Sequence, residues 1–294
     1  MKLFFPSLLL LASFSSFADI NIVSTIRPLT LLAQELAAPG DTVEQLLEAN
    51  RSPHHYQLSV SDRQQLESAT LVLWVGPELE SFLEKALLQT KASVVQASRI
   101  DSINWPETAG DHDHDSHAHH GHKHDHDRDP HLWLDPYNLG EITQVLTQRL
   151  VELNPEDKDI YQQNSTKLLT RLGEMDRSLR TKLVEVQDKA FVVSHPAYNH
   201  FVQRYGLSQL DYIVATPERA AGAKHLYQLR ALSVSCIFGE EAQNNTMASR
   251  LADHIGARMV KLDPLGATLQ DGASAVDVVE RLGETLFDCL AAKS

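Results

Sequence analysis

Residues 156–186 read EDKDIYQQNSTKLLTRLGEMDRSLRTKLVEV, without proline and with one glycine. Apolar residues recur along one face at helical spacing, namely Ile160, Leu168, Leu172, Met175, Leu179 and Leu183. The preceding Asn154-Pro155 is a typical helix start. The pattern predicts one helix of roughly 45 Å that divides the chain near its middle.

On both sides of this helix, short β-branched or apolar runs alternate with amphipathic stretches. Before it, strands are predicted at 20–23, 71–75 and 93–97, with helices at 29–37, 79–88 and from residue 136. After it, strands are predicted at 191–194, 210–214, 235–238 and 259–262, with helices at 198–205, 223–232, 247–255 and 275–290. The sequence therefore predicts an α/β protein: two similar lobes with mostly parallel sheets, joined by the long helix, with a ligand site in the interlobe cleft.

The same pattern gives the expected domain boundaries. A signal peptide is predicted at 1–18, a first lobe at 19–154, the linking helix at 155–187 and a second lobe at 188–294. The first lobe contains an insertion at 98–129 without apolar periodicity. Insertions of that length in a compact domain are usually functional or lack a fixed structure.

The N-terminus indicates export. Residues 1–18 contain a lysine, a largely apolar run at 3–11 and a Ser-Phe-Ala ending, which predicts a secretory signal cleaved after Ala18. The apolar run is too short to cross a bilayer, and no later segment offers the roughly 18 to 20 apolar residues required. We expect a soluble periplasmic protein without direct membrane insertion, acting as a monomer.

The net charge and the two cysteines restrict the classes of partner and of metal site that the protein can have. The formal charge is -13, or -14 once Lys2 is removed with the signal, which disfavours nucleic acid or anionic lipid as partners and suits a cationic ligand. The cysteines are Cys236 and Cys289. In an oxidising compartment a disulfide is the default, stabilising by about 4 kcal/mol. The alternative, two thiolate zinc ligands, lacks the close spacing of C-x-x-C.

The insertion contains a histidine-rich tract, residues 111–127, which reads DHDHDSHAHHGHKHDHD. Eight of the fifteen histidines lie there, interleaved with aspartates: His112, His114, His117, His119, His120, His122, His124 and His126. Such composition predicts metal binding. The alternative is a solvated polar loop or a purification tag, although tags are terminal. The tract will not pack into a defined geometry, so a well-defined site is expected elsewhere.

Three histidines outside the tract lie on constrained loops. His54 follows Pro53, His131 lies in a segment with proline at both ends, and His195 follows a predicted strand and precedes Pro196. Ligand crevices in open α/β sheets lie at the carboxyl ends of strands. Each histidine alone could make an ordinary hydrogen bond, but together they can supply three nitrogens of a tetrahedral zinc site, at ~2.0 to 2.1 Å.

From residue 22 onwards the chain resembles the ZnuA-type periplasmic zinc-binding proteins of ABC importers, which are metal-binding solute-binding proteins with a single backbone helix. The resemblance rests on an ordered set of motifs: STIRPL at 24–29, SPHHY at 52–56, LVLWVGPELE at 71–80, DPHLWLDP at 129–136, SHPAY at 194–198 and LDPLG at 262–266. A histidine-rich insertion before the second ligand is characteristic of the zinc importers in that class.

The resemblance implies capture of Zn²⁺ with high affinity and its delivery to an inner-membrane permease with its ATPase. It implies a binding protein and not an enzyme. It also implies His54, His131 and His195 as zinc ligands, with His55 as a neighbour. The family carries a disulfide in its second lobe that matches Cys236 and Cys289.

The fourth zinc ligand is left open by the resemblance. Pro53 replaces the acidic residue that some zinc proteins have there, which closes that option. Asp263, at the matching loop of the second lobe, is the expected ligand, followed by water and then by Glu240. Manganese-selective relatives tend to carry an acidic residue at the position of His195, and three imidazoles favour zinc over manganese.

Two other functions compete with transport. An exported zinc hydrolase would need a general base beside the metal, and the chain has no H-E-x-x-H motif. A metallochaperone or a surface adhesin would share the fold. His200, His225 and His254 carry no motif, and we expect His200 and His254 to be surface or packing residues.

Overall fold

A computed structural model describes residues 19–106, 128–215 and 221–292. The predicted signal peptide, its cleavage site after Ala18 and the eight tract histidines lie outside these residues. The predicted fold class is confirmed: the described chain forms two parallel sheets, each flanked by helices, with one long helix between them.

The first lobe contains a parallel four-stranded sheet in the order β2-β1-β3-β4. Its strands are β1 Asn21–Ser24, β2 Thr42–Gln45, β3 Leu71–Trp74 and β4 Ser93–Gln96, and its helices are α1 Arg27–Leu36, α2 Val60–Ser68, α3 Pro77–Glu80 and α4 Glu84–Leu87. The apolar strand β3 is buried on both faces. Strand β2 was not predicted, because this edge strand is half exposed and its TVEQ sequence has a single large apolar residue.

The predicted helix at 79–88 is instead broken into α3, a 3₁₀ turn at Ser81–Leu83 and α4. The break lies at Glu80, whose backbone leaves the helical region at φ -121° and ψ 49°. The Glu80 carboxylate is buried and accepts hydrogen bonds from the backbone N–H groups of Val75 and Gly76, at 2.8 and 3.3 Å. These bonds hold the side chain against the end of β3.

The centre of the chain forms two helices, α5 Pro136–Leu153 and α6 Lys158–Leu183. Asp135 caps α5 by accepting from the N–H of Tyr137 at 2.9 Å. The long helix is shorter than predicted, because Pro155–Asp157 and Val184–Val186 form 3₁₀ turns at its ends. Its 26 residues span roughly 39 Å. The predicted apolar face of α6 packs against α5, α1 and the last helix of the chain, Ala275–Ala291.

The second lobe repeats the topology of the first, with a parallel sheet in the order β6-β5-β7-β8. Its strands are β5 Phe191–Val193, β6 Gln209–Tyr212, β7 Cys236–Glu240 and β8 Arg258–Leu262, and its helices are α7 Asn199–Tyr205, α8 Ala223–Leu229, α9 Thr246–Ile255 and α10 Ala275–Ala291. One hydrophobic core runs through both lobes and the buried face of α6, from Ile20 to Leu290. The lobes therefore share a core.

Two further sequence predictions bear on this fold. The disulfide is confirmed: Cys236 on β7 is bonded to Cys289 on α10, with Cα atoms 6.3 Å apart, and this excludes thiolate zinc ligation by the pair. The first residues of the predicted insertion, 98–106, pack on α5. Ile103 there is 6% exposed, and the Asn104 N–H donates to Asn138 Oδ1 at 2.8 Å.

Within the described residues, no helix combines the length and apolar character needed to span a membrane.

Candidate metal centre

The structure brings together His54, His131 and His195. One ring nitrogen from each lies within 4.8 Å of those of the other two. The ring centroids are 5.2 Å apart for His54 and His131, 5.3 Å for His131 and His195, and 5.7 Å for His54 and His195. Three loops converge to produce this arrangement, since His54 follows β2, His131 precedes α5 and His195 follows β5.

The rings line a cavity of about 30 Å³ between the lobes. A cavity needs roughly 10 to 15 Å³ of such space to hold one water molecule. Apolar walls are contributed by Pro53 and Trp133 from the first lobe, and by Pro264 and Leu265 from the second. The Trp133 Nε1–H donates to the carbonyl of Pro264 at 2.8 Å, which joins the lobes directly beside the cavity. Such a space suits an ion with one or two water molecules and is too small for a larger ligand.

Asp129 holds the ring of His131. Its Oδ1 accepts from His131 Nδ1 at 2.7 Å and from the His131 backbone N–H at 3.0 Å. A carboxylate on Nδ1 fixes the proton there and leaves the Nε2 lone pair available to a metal. The pKa of Asp129 is lowered: burial by itself raises it, but the charge and hydrogen bond of His131 outweigh the burial. The carboxylate is therefore ionised at neutral pH.

Glu240 contacts the ring of His195 in the same way as Asp129 contacts that of His131. Its Oε1 is in close contact with His195 Nδ1, and both side chains are buried. Its Oε2 accepts from Gln243 Nε2 at 3.1 Å. Glu240 ends β7 while His195 follows the neighbouring strand β5, so adjacent parallel strands bring the two side chains together. His195 therefore directs its Nε2 away from the carboxylate.

His54 is kept neutral by its surroundings. Burial, followed by the nearby rings of His131 and His195, lowers the pKa of His54 to about 2. Its Nε2 is buried and has no hydrogen-bond partner among the described residues. A buried polar atom without a partner is costly. A cation between the rings would provide the missing interaction.

Helix α7 of the second lobe is bonded to the segment that carries His131. The Asn199 N–H donates to Asp129 Oδ2 at 3.0 Å, and His200 Nε2 contacts the Asp129 carbonyl at 2.9 Å. Arg204 forms an ion pair with Asp135 at 3.3 Å. These contacts connect the first-lobe segment that carries His131 to the second lobe.

The structure does not bring Asp263 into the histidine group. Asp263 Oδ1 accepts from the Ala267 N–H at 2.8 Å. Its Oδ2 accepts from the N–H and the hydroxyl of Thr268, each at 2.7 Å. The carboxylate thus closes its own loop, and this arrangement does not support Asp263 as the fourth ligand. Glu240 lines the cavity but contacts His195, and His55 is outside the group.

Sequence reasoning missed the supporting residues Asp129 and His200. His200 was expected at the surface or in packing; it is 2% exposed and lies between Asp129 and Asn138. The Asp129-Pro130-His131 spacing was a usable signal, because aspartate side chains often accept from the backbone N–H two residues on. No local pattern pointed to His200, since its role depends on how α7 docks.

Comparison with known proteins agrees with the geometry. The family described as "Zinc-uptake complex component A periplasmic" (ZnuA) matches residues 22–289. The high-affinity zinc uptake system protein ZnuA of Yersinia pestis is 34% identical over 97% of this chain and 95% of its own length.

Solved structures share the fold. A crystal structure of a ZnuA has a TM-score of 0.77 at 22% identity, covering 92% of this chain and 99% of that one. The laminin-binding protein Lmb of Streptococcus agalactiae, described as having adhesin and metal-transporting activity, has a TM-score of 0.79 at 22% identity, covering 92% and 99%.

Proposed function

We propose, since this chain belongs to the ZnuA family of periplasmic zinc-uptake components, that it captures Zn²⁺ with high affinity in the interlobe cavity and delivers it to an ABC permease. As a member of that family the chain is a solute-binding component and not an enzyme. The single observation that carries the ligand assignment is the convergence of His54, His131 and His195 on one small cavity.

The chemistry of the cavity suits zinc. Three neutral imidazoles supply borderline nitrogen ligands, which favour zinc over the oxygen-preferring manganese. The rings are held before the metal arrives, because Asp129 and Glu240 contact the Nδ1 atoms of His131 and His195. For the fourth position we propose water, since the Asp263 carboxylate is used by its own loop.

Release of zinc requires at least one of the three histidine nitrogens to leave the ion. His195 is the ligand contributed by the second lobe, while His54 and His131 come from the first. We propose that docking on the permease displaces the His195 loop and lowers the zinc affinity. The shared core and the long α6 favour a small shift over wide lobe opening.

Two further parts of the chain, the N-terminus and the histidine-rich tract, also have proposed roles. We propose that residues 1–18 are a signal cleaved after Ala18, and that the mature chain is a periplasmic monomer. The histidines of the tract at 111–127 would hold further zinc ions weakly, as a store or sensor near the cavity. Because free histidine titrates near pH ~6.5, zinc binding by the tract should fade below that pH.

A competition titration of the mature chain tests the proposal. We expect one tightly bound zinc ion per chain plus weaker ions, with the weaker ions lost when 111–127 is deleted. Replacing all of His54, His131 and His195 by alanine should abolish the tight ion, whereas His254→Ala on the exposed face of α9 should leave it unchanged. Loss of the tight ion on deleting the tract would instead place the tract in the main site.

A further inference from the structure

Two buried carboxylates contact the Nδ1 atoms of the two buried rings. The side chain of Asp129 is 3% exposed beside His131, and that of Glu240 is 6% exposed beside His195. They come from different lobes and from unrelated parts of the chain. The same contact between a carboxylate and an imidazole Nδ1 therefore occurs twice around one cavity.

The contacts of both carboxylates are with groups that can donate a hydrogen bond to them. Asp129 accepts from His131 Nδ1, from the His131 N–H and from the Asn199 N–H. Glu240 contacts His195 Nδ1 and accepts from Gln243. An ionised carboxylate only accepts hydrogen bonds, which matches these donors. Each carboxylate makes an ion-pair contact with a histidine ring, which is neutral when it binds a metal.

Two buried negative charges are costly without positive charge nearby. Three imidazoles bring no charge to a metal, so the histidine group alone does not compensate the charge of the ion. With Asp129 and Glu240 included, a divalent cation makes the set of three rings and two carboxylates neutral; Arg51, which also lines the cavity, is exposed to solvent and paired with Glu48. A monovalent cation that also prefers nitrogen ligands, such as Ag⁺, would leave one negative charge without compensation.

We propose that Asp129 and Glu240 set the charge selectivity of this site, so that it favours a divalent over a monovalent cation. The inference rests on the proposed zinc-binding function and adds residues that do not themselves ligate the ion. Both act through the ring of a ligand: the carboxylate draws on the Nδ1 proton and makes the other ring nitrogen a stronger donor to the metal.

The two roles of such a carboxylate, charge compensation and ring positioning, predict different results. Coulomb energy is proportional to the charge of the ion. Neutralising one carboxylate at constant shape should therefore lower the affinity for Zn²⁺ about 100-fold, which is in the range typical for residues that support a metal ligand. The affinity for Ag⁺ should fall about 10-fold, because Ag⁺ carries half the charge. If the carboxylate only oriented its ring, both affinities would fall by the same factor.

The experiment compares Asp129→Asn, Glu240→Gln and the double variant with the unaltered mature chain. Each affinity is measured by competition with a chromophoric chelator, for Zn²⁺ and for Ag⁺ in chloride-free nitrate buffer. Ag⁺ needs no reductant, so the Cys236–Cys289 disulfide stays closed. The tract is identical in all variants and cancels in the comparison. Asp263→Asn is the matched control, because that carboxylate bonds to its own loop.

We expect the ratio of Zn²⁺ to Ag⁺ affinity to fall about 10-fold in each single variant and about 100-fold in the double variant, with the control within about 2-fold. Equal losses for both ions would overturn the inference and leave Asp129 and Glu240 as positioning residues. Unchanged affinities would overturn it as well. Circular dichroism checks folding, and if Asp129→Asn does not fold, Glu240→Gln decides alone. An unaltered chain without tight zinc would refute the proposed function itself.

Discussion

The two lobes have the same strand order but contribute unequally to the metal centre. The first lobe supplies His54 and His131, and the second supplies His195. His131 is fixed locally by Asp129, two residues away, and this pair is also bonded to α7 of the second lobe. His195 is fixed by Glu240 from the neighbouring strand. The comparison indicates that the metal site depends on interlobe contacts as much as on either sheet.

The largest effect should come from the disulfide, which is confined to the second lobe. Replacing Cys236 and Cys289 by alanine should lower the free energy of unfolding by about 4 kcal/mol, because the loop they close is then free in the unfolded chain. Chemical denaturation of the zinc-free protein measures this. Zinc affinity should stay within about 2-fold, since the bond lies away from the rings; a large loss would show that β7 needs the disulfide to present Glu240.

Removing a ligand from either lobe comes next. His195→Ala and His131→Ala should each lower zinc affinity at least about 100-fold, more than the usual loss for residues that only support a ligand. Competition titration with a chelator measures both. If either variant gave an unaltered titration curve, the assignment of that histidine would be wrong, and the lobe that carries it would lose its part in the site.

Acid should destabilise the zinc-free protein through the first-lobe ligand. The pKa of His54 is lowered to about 2 from 6.5, so the unfolded chain binds the proton more readily. Above pH ~6.5 the buried neutral ring of His54 therefore does not change the free energy of unfolding. Below that pH it lowers the free energy of unfolding, by at most about 1.4 kcal/mol per pH unit. Urea unfolding of the unaltered chain and of His54→Gln, from pH 7 to 5, measures the difference. Identical slopes would contradict the burial of this ring.

The smallest effect should come from Asp263, the carboxylate that the sequence favoured as a ligand. Asp263→Asn removes an acceptor used by the Thr268 N–H and hydroxyl, which should cost about 1 kcal/mol of stability. Zinc affinity should change by less than about 2-fold. A 10-fold loss of affinity without a loss of stability would return Asp263 to the ligand set.

Sequence patterns predicted most of the fold because the signals are local. The apolar face of α6 and the buried run of β3 can be read directly from residue spacing. Strand β2 and the break at Glu80 could not, because each depends on contacts with residues already folded around it.

In the metal centre, too, the local features could be predicted and the features that depend on tertiary contacts could not. Proline-flanked histidines and the family motifs pointed to His54, His131 and His195. The choice of Asp263 over Glu240 was not supported, because the sequence does not show which carboxylate its own loop will use. Glu240 and His200 acquire their roles through the pairing of β7 with β5 and the docking of α7, both of which are tertiary events.

The most direct test of the central claim is the anomalous density of a crystal of the mature chain loaded with one equivalent of zinc. We expect a single strong peak between the lobes, with one ring nitrogen each of His54, His131 and His195 at about 2.0 to 2.1 Å. A peak bonded to fewer than these three rings, or located elsewhere in the chain, would contradict it.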